Sequence, residues 1–385
     1  MDDLEKKRDE LKERAREVAT EMVGPMAADI DAQGDIPQDL IDVFAEEGFF
    51  SLMLPEQYGG TNGSVTCFCT VVEEIARVCA SSSLVILCHA VGIMPIVVGG
   101  NIVQKRRYYE SMSRENQLAG FALTEPDSGS DAASIRTKAT LQGDYYLING
   151  RKVFITNGGV ADFYSLFATI DPQQRIGGIT AFVVEKDAEG LTIGKKENKM
   201  GMRGSSTTEL ILENVKVPKA NLLGFEGRGW RIAMRTLNLS RPGIGAQAVG
   251  IAQGALDCTL DFARERIRFE RPFTRYQGIQ FMIADMDTQI EAARALVYKT
   301  ASMVDQGVKG VGVEKFSAMS KYFASDVAMS VTTEAVQILE EHGLTRESPV
   351  ERMMRDAKVT QIYEGTNQVL RNTIAAELRK QRYRD

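Results

Sequence analysis

The hydrophobic period of this chain changes twice, and that alternation limits its fold more than any single motif. In the first 117 residues apolar side chains recur at helical spacing, with Leu4, Leu11, Ala15, Val18 and Ala19 near one face. A second helix is expected from Pro37 to Glu47, then a break at Pro55-Glu56-Gln57-Tyr58-Gly59-Gly60 and helices over 65–79, 81–98 and 102–112. Beyond residue 118 the period falls to two. Asp144 to Thr156 reads as strand–turn–strand around Asn149-Gly150, and Tyr164–Ile170, Ile179–Glu185, Leu191–Lys195 and Glu209–Val217 read as further short strands. Short strands joined by turns argue for an antiparallel barrel or sandwich. From residue 226 the helical period returns, with helices expected from Gly227 past Leu256, over Tyr276–Gln306, Val313–Glu341 and Thr366–Lys380. Gly307 and Gly310 mark a connection, and Gly343 stands where a C-cap glycine would. The expected fold is a multidomain α+β chain: a helical domain over 1–117, a β domain over 118–225 and a helical bundle over 226–385.

A chain of 385 residues is also too long for one comfortable core. Its 46 basic and 52 acidic residues leave a net charge of -6, so no global field attracts nucleic acid or an anionic membrane. The cysteines, Cys67, Cys69, Cys79, Cys88 and Cys258, form no CxxC pair, and the histidines are His89 and His342 alone. That gives little support to a zinc or disulfide framework and suits a reducing compartment. The start is acidic and amphipathic, unlike a secretory leader or an Arg-rich transit peptide, so a cytoplasmic location is expected, or the mitochondrial matrix for a processed eukaryotic chain. Leu84 to Val98 is apolar but carries His89 and Pro95. It reads as a buried helix too short to span a bilayer, and no stable membrane insertion is expected.

No glycine-rich dinucleotide loop, P-loop or G-x-S-x-G elbow occurs. Three segments carry chemistry instead. Thr124-Glu125-Pro126-Asp127-Ser128-Gly129-Ser130-Asp131 follows an apolar run; it is either an ordinary capped turn or a loop that grips phosphate or flavin edge atoms. In Phe154-Ile155-Thr156-Asn157-Gly158-Gly159, a ring and a hydroxyl share one strand face. Such a pair suits a flat conjugated ligand and equally a plain barrel core. In Ile362-Tyr363-Glu364-Gly365-Thr366-Asn367, Glu364 is either a solvated loop acid or a base in a dry cleft, and Thr366 is placed to cap the last helix.

In this order and spacing, together with Pro349-Val350-Glu351-Arg352 and Arg355-Asp356-Ala357-Lys358, these segments resemble the acyl-CoA dehydrogenase family over essentially the whole chain, most of all its short- and medium-chain members. The resemblance implies an N-terminal helical domain, a central antiparallel β-barrel-like domain and a C-terminal four-helix-bundle domain. It implies a homotetramer, a dimer of dimers, with one FAD per subunit near a dimer interface, and electron-transferring flavoprotein as acceptor. The implied reaction converts a short- or medium-chain acyl-CoA to the trans-2-enoyl-CoA, with Glu364 taking the α-proton and the β-hydrogen leaving as hydride to flavin N5. By the same resemblance Phe121, Leu123, Thr124 and Ser130 lie along the flavin. Phe154 packs on the isoalloxazine and Thr156 bonds near N5. Arg266, Phe269 and Gln277 reach the adenosine diphosphate part, Gln337 keeps its family place there, and Thr366 joins the cofactor residues. Ser130, Asn238, Arg241, Tyr363 and Gly365 line the substrate.

Several positions depart from the family pattern. Ser240 fills the slot where some relatives place the base, which leaves Glu364 without a competitor. Glu270 replaces a usual glycine, and Glu340-Glu341 replaces a glycine pair that lets backbone approach the FAD of a neighbouring subunit. Two carboxylates beside a diphosphate repel it unless they turn outward or bind a basic group, and an outward turn is expected. Ala80 to Val85 offers no counterion for a dicarboxylyl substrate, although Arg77 is near in sequence. The alternatives are a cyclic, branched or dicarboxylyl CoA thioester, or an enoyl-CoA reductase working with an electron-transfer partner.

Overall fold

The computed structural model describes residues 3–308 and 311–382. Helix α1 (Asp3–Val18) buries Leu11, Ala15 and Val18, then passes through one π-helical turn into α2 (Gly24–Gln33). Next come α3 (Gln38–Glu46), α4 (Val65–Ala76), α5 (Ala80–Gly99) and α6 (Ile102–Glu115). The N-terminus of α4 is capped locally by Ser64 and at long range by Asp305, whose carboxylate accepts from Val65 N (2.6 Å) and Thr66 N (3.0 Å). Helix α5 corrects one expectation. It is 20 residues long and apolar enough to cross a membrane, so length does not exclude that role. Burial identifies it as a core helix: 78% of its apolar window is covered, by α4, α7 and the first strand among others.

The strands are β1 (Ala119–Ala122), β2 (Lys138–Gln142), β3 (Tyr145–Thr156), β4 (Phe163–Thr169), β5 (Ile179–Glu185), β6 (Leu191–Lys196), β7 (Thr207–Pro218) and β8 (Leu222–Leu223). They pair in the order β6-β7-β3-β2-β4-β5-β8, mostly antiparallel, with β1 added parallel to β4. Strand β4 is buried along its whole length. Phe163 and Phe167 pack with Ile93, Ile96 and Ile232, whereas Tyr164 and Leu166 pack with Tyr146, Phe182 and Val184. Such a strand loses the alternation that marks a half-exposed one.

The expected hairpin at Asn149-Gly150 does not exist. Strand β3 runs straight through it, and the two-residue turn lies earlier, at Gly143-Asp144, where Gln142 pairs with Tyr145 and Gly143 takes a φ of 60°. Asn149 and Gly150 form a bulge against β7. The Asn149 side chain accepts from Asn214 N (2.8 Å) and donates to Asn214 Oδ1 (3.1 Å).

The C-terminal helices are α7 (Gly229–Glu265), α8 (Gln277–Asp305), α9 (Val311–Ile338), α10 (Pro349–Thr360) and α11 (Asn367–Arg382), with α9 packed against the other four. A small hairpin, β9 (Ile267–Arg268) and β10 (Arg271–Pro272), joins α7 to α8. Its turn holds Phe269 at φ 46° and Glu270 at φ 61°, so Glu270 occupies a backbone conformation that suits glycine. Gly307 follows α8 at φ 69°, and Gly310 lies outside the described residues. Gly343 is not the αL cap of α9; it is buried in a later 3₁₀ turn, where a Cβ would stand 2.6 Å from the Val336 carbonyl. Pro242 sits inside α7 and cannot bond the carbonyl four residues back, on Asn238. Ser317 of α9 supplies the missing donor at 2.6 Å, so the helix continues and locks to its neighbour.

The loop after β1 is held by a buried ion pair. Lys152 of β3, with no exposed surface, donates to Glu125 (2.8 Å) and to the Leu123 carbonyl (2.9 Å). Glu125 also accepts from the backbone N–H of Arg136 (2.6 Å) and Thr137 (2.9 Å). Burial lowers Lys152 to about 8, with Glu125 opposing; burial would raise Glu125, but Lys152 and these donors hold it below the usual carboxylate range. Glu125→Gln strands a buried cation and is expected to cost about 3–5 kcal/mol in chemical denaturation. A loss under about 1 kcal/mol, the level of a surface pair, would show that the ion pair does not hold the loop.

Candidate active site

Glu364 lies in the turn between α10 and α11. It has a φ of 52° and Gly365 a φ of 102°, so two successive residues are left-handed. The φ of Gly365 favours glycine there, and a Cβ at this position would sit closely against side-chain ends, 3.3 Å from Leu370 and 3.4 Å from Arg241. Thr366 caps α11 as expected, its Oγ1 accepting from Val369 N at 3.3 Å. Helices on both sides hold the turn. From α7, Arg241 Nε donates to the Glu364 carbonyl (3.2 Å) while Nη1 donates to Asn238 Oδ1 (3.0 Å). From α9, Lys321 Nζ donates to the Gly365 carbonyl (2.8 Å) and Asn367 Oδ1 (3.0 Å). Asp326 accepts from Asn367 Nδ2 and Gln361 Nε2, both at 2.7 Å.

The Glu364 carboxylate receives a 2.6 Å hydrogen bond from Ser240 Oγ, itself buried one residue before Arg241. Burial pushes the Glu364 pKa up to about 7, against the Ser240 bond and the charges of Arg241 and Lys321. Glu364 is half-buried and keeps some exposure to solvent. Burial and then the Glu364 charge raise the Cys88 thiol of α5, with the Thr156 hydroxyl at the end of β3 opposing that rise. Glu364 of the bundle and Thr156 of the β domain thus both act on the core-helix thiol. Tyr363 closes one side. It donates to Gln247 Oε1, and Gln247 Nε2 donates to Ser83 Oγ (2.9 Å) and the Ala80 carbonyl (3.1 Å).

A second bulge in β3, between Lys152 and Ile155, turns Phe154 outward at φ 54° with 61% of its surface exposed. Val153 N donates to the Thr124 carbonyl at 3.0 Å, which sets the 124–131 loop beside that ring. Leu123 is buried, Phe121 packs on Phe167 with centroids 5.0 Å apart, and Ser130 is exposed on the loop. The exposed Phe154 ring and the Thr156 hydroxyl two residues on offer an apolar face and a polar edge on one strand.

Arg266 belongs elsewhere. It lies 25 residues along α7 from Arg241 (266 − 241), roughly 37 Å at about 1.5 Å per residue. There it donates to Glu340 (3.0 Å) and Glu341 (2.9 Å), and Arg268 donates to Glu340 (3.0 Å). The two carboxylates do not simply turn outward as expected; they find the basic groups beside them. Arg268 and Arg266 hold Glu340 below its ordinary range, and Glu341 is lowered first by its own backbone N–H and then by Arg266. Arg266 Nε remains buried and without a partner. Phe269 is 91% exposed, and Gln277 and Gln337 are exposed on α8 and α9.

Sequence reasoning missed Lys321, Cys88 and Gln247, and treated Ser240 only as an empty base slot. One signal existed for Lys321: it interrupts the small-residue stripe Ser317, Ala318, Ser320, Ala324, Ser325 and Ala328, all buried on α9.

The raised pKa has a consequence for stability. The folded protein holds the Glu364 proton more tightly than an unfolded chain with the ordinary value of 4.5, so this residue costs stability as pH climbs through about 7. Glu364→Gln is expected to raise stability at pH 8 by on the order of 1–3 kcal/mol. That gain should fade as pH falls from about 7 to 4.5 and be absent below it, as read from urea midpoints. An equal gain at every pH would reject the burial-driven shift.

Three family models match the chain in succession: acyl-CoA dehydrogenase N-terminal domain over residues 5–116, middle domain over 120–215 and C-terminal domain over 227–379. An acyl-CoA dehydrogenase of Bacillus subtilis is 46% identical over 369 residues, covering 96% of this chain and 97% of the relative. A cyclohex-1-ene-1-carbonyl-CoA dehydrogenase of Geobacter metallireducens is 46% identical over 357 residues, covering 92% and 93%. Among solved structures, butyryl-CoA dehydrogenase of Megasphaera elsdenii superposes with a TM-score of 0.94 at 41% identity, covering 97% of this chain and 98% of that one. The chain belongs to the acyl-CoA dehydrogenase family, whose members are flavin-dependent oxidoreductases acting on CH–CH bonds.

Proposed function

We propose that this enzyme desaturates a short- or medium-chain acyl-CoA to its trans-2-enoyl-CoA, with Glu364 as the base. The observation that carries the reading is the Glu364 carboxylate itself: half-buried, bonded to Ser240 and raised by desolvation to about 7. A base with its pKa near the working pH combines ionisation with driving force for proton transfer. A carboxylate in water is far too weak to deprotonate a carbon beside a thioester. Here the turn presents Glu364 from a fixed backbone, and its N–H stands available to a thioester carbonyl, where it would stabilise developing enolate charge. Arg241, Asn238 and Tyr363 orient the substrate, and Gly365 leaves it room.

FAD held at this site would supply a hydride acceptor, N5, for the β-hydrogen. Phe154 and Thr156 fit its ring, with Phe121, Leu123, Thr124 and Ser130 along the loop. The fit is poorer at the proposed adenosine side, where Glu340 and Glu341 already occupy Arg266. Arg266, Phe269, Gln277 and Gln337 would act there across a dimer interface of a homotetramer. Electron-transferring flavoprotein is the proposed acceptor.

A neutral acyl group is preferred. Arg77, the one basic group near Ala80–Val85 in sequence, is paired with Asp257 at 2.5 Å, which leaves no obvious counterion for a distal carboxylate. A cyclic acyl group is the second reading, favoured by the 46% identity to the cyclohexene-carbonyl-CoA enzyme. An anaerobic panel of straight, cyclic and dicarboxylyl CoA thioesters, followed by flavin bleaching, decides among them; fastest bleaching by glutaryl-CoA would overturn the neutral preference. Glu364→Gln should fold, bind acyl-CoA and lose α-proton exchange by about 10²–10⁴-fold. Undiminished exchange would remove Glu364 from its role. Replacing Glu340 and Glu341 together by Gln should release Arg266 and slow FAD loss on dilution, read by flavin fluorescence. Unchanged FAD loss would separate Arg266 from the diphosphate.

A further inference from the structure

We propose that Lys321 is a positioning residue for the base: from beneath the turn it fixes the peptide after Gly365, and its charge favours the ionised form of the Glu364 carboxylate. This rests on the reading of Glu364 as the base and extends it to a residue on another helix.

Lys321 has no exposed surface, yet the atoms it touches, the Gly365 carbonyl and Asn367 Oδ1, are both neutral. Burying a cation costs several kcal/mol unless negative charge lies near, and a neutral donor would serve a purely mechanical tie. The charges acting on Lys321 are Glu364, then Arg241, which repels it, then Asp326, and Asp326 also takes Arg371 (3.0 Å), Asn367 and Gln361. That leaves Glu364 as the carboxylate whose charge Lys321 complements. The other groups facing Glu364 are Ser240 and Arg241 from α7, Cys88 from α5 and Tyr363 from the turn, with Glu314 of α9 acting on Arg241.

The geometry assigns separate tasks. Arg241 holds the Glu364–Gly365 peptide through its carbonyl, and Lys321 holds the Gly365–Thr366 peptide through the next one. Two consecutive peptide planes are thereby set around two left-handed residues, and Ser240 finishes the alignment at the carboxylate. The electrostatic coupling runs both ways. Lys321 favours ionised Glu364, and Glu364 favours charged Lys321 against a burial that lowers the lysine to about 7.

The test is the pH dependence of α-proton exchange of butyryl-CoA in D2O, catalysed by the flavin-loaded enzyme. Lys321→Met should move the acid limb of that profile upward by about one pH unit, roughly a tenfold loss on that limb, with less loss at high pH. A folded variant with an unmoved midpoint, whether at full rate or uniformly slowed, overturns the proposal, because a mechanical tie alone would not shift an ionisation. Should Lys321→Met fail to fold, [13Cε]lysine NMR of the parent and of Glu364→Gln replaces it. One lysine titrating near neutrality should drop its midpoint when the carboxylate is removed; no responding lysine overturns the proposal. Exchange in Glu364→Gln is the control that separates the two ideas. If it persists, the base assignment falls; if it is lost while the Lys321→Met midpoint stays, only the inference about Lys321 falls.

Discussion

The hydrogen bond from Ser240 to Glu364 ties together the parts of the structure that make a site. A buried carboxylate is tolerable only where partners approach from fixed directions. Helix α7 can supply Ser240 and Arg241 side by side because it remains helical through Pro242, and it does so because Ser317 of α9 satisfies the carbonyl that the proline leaves free. The turn that carries Glu364 would in turn be strained without Arg241 and Lys321 on its carbonyls. Packing of α7 on α9 thus comes before chemistry.

The β domain presents its exposed ring and polar loop through local irregularity rather than regular strand. Strand β3 bulges twice: once at Asn149-Gly150, anchored by Asn214, and again before Ile155, where Phe154 is turned out. Between the bulges Lys152 points inward and pins the loop after β1 through Glu125. One strand thereby sets both the exposed ring and the loop beside it, and its end brings Thr156 to Cys88 and the Glu364 side.

Much of this was legible in the sequence because helices and strands bury different periods. The helix–sheet–helix order, the long C-terminal helices and the role of Thr366 as a cap follow from apolar spacing and local hydrogen bonding. The misread hairpin at Asn149-Gly150 shows the limit. The dipeptide suits a turn, but cross-strand bonds to Asn214, 65 residues away, hold it in a bulge instead. Strand β1, parallel to β4, and α10 escaped notice for a related reason: short elements draw their stability from contacts distant in sequence. Glu340 and Glu341 likewise read as repelling charges until Arg266 and Arg268 were placed beside them.

The sequence by itself determined the order of layers and the acyl-CoA dehydrogenase resemblance, because both rest on the pattern and spacing of residues along one chain. It also singled out Glu364 as a candidate, without separating a buried base from a surface acid. That distinction belonged to the tertiary structure alone. The carboxylate's environment is built from α5, α7, α9 and the 361–366 turn, which lie up to 276 residues apart (364 − 88), and desolvation and charge act through space.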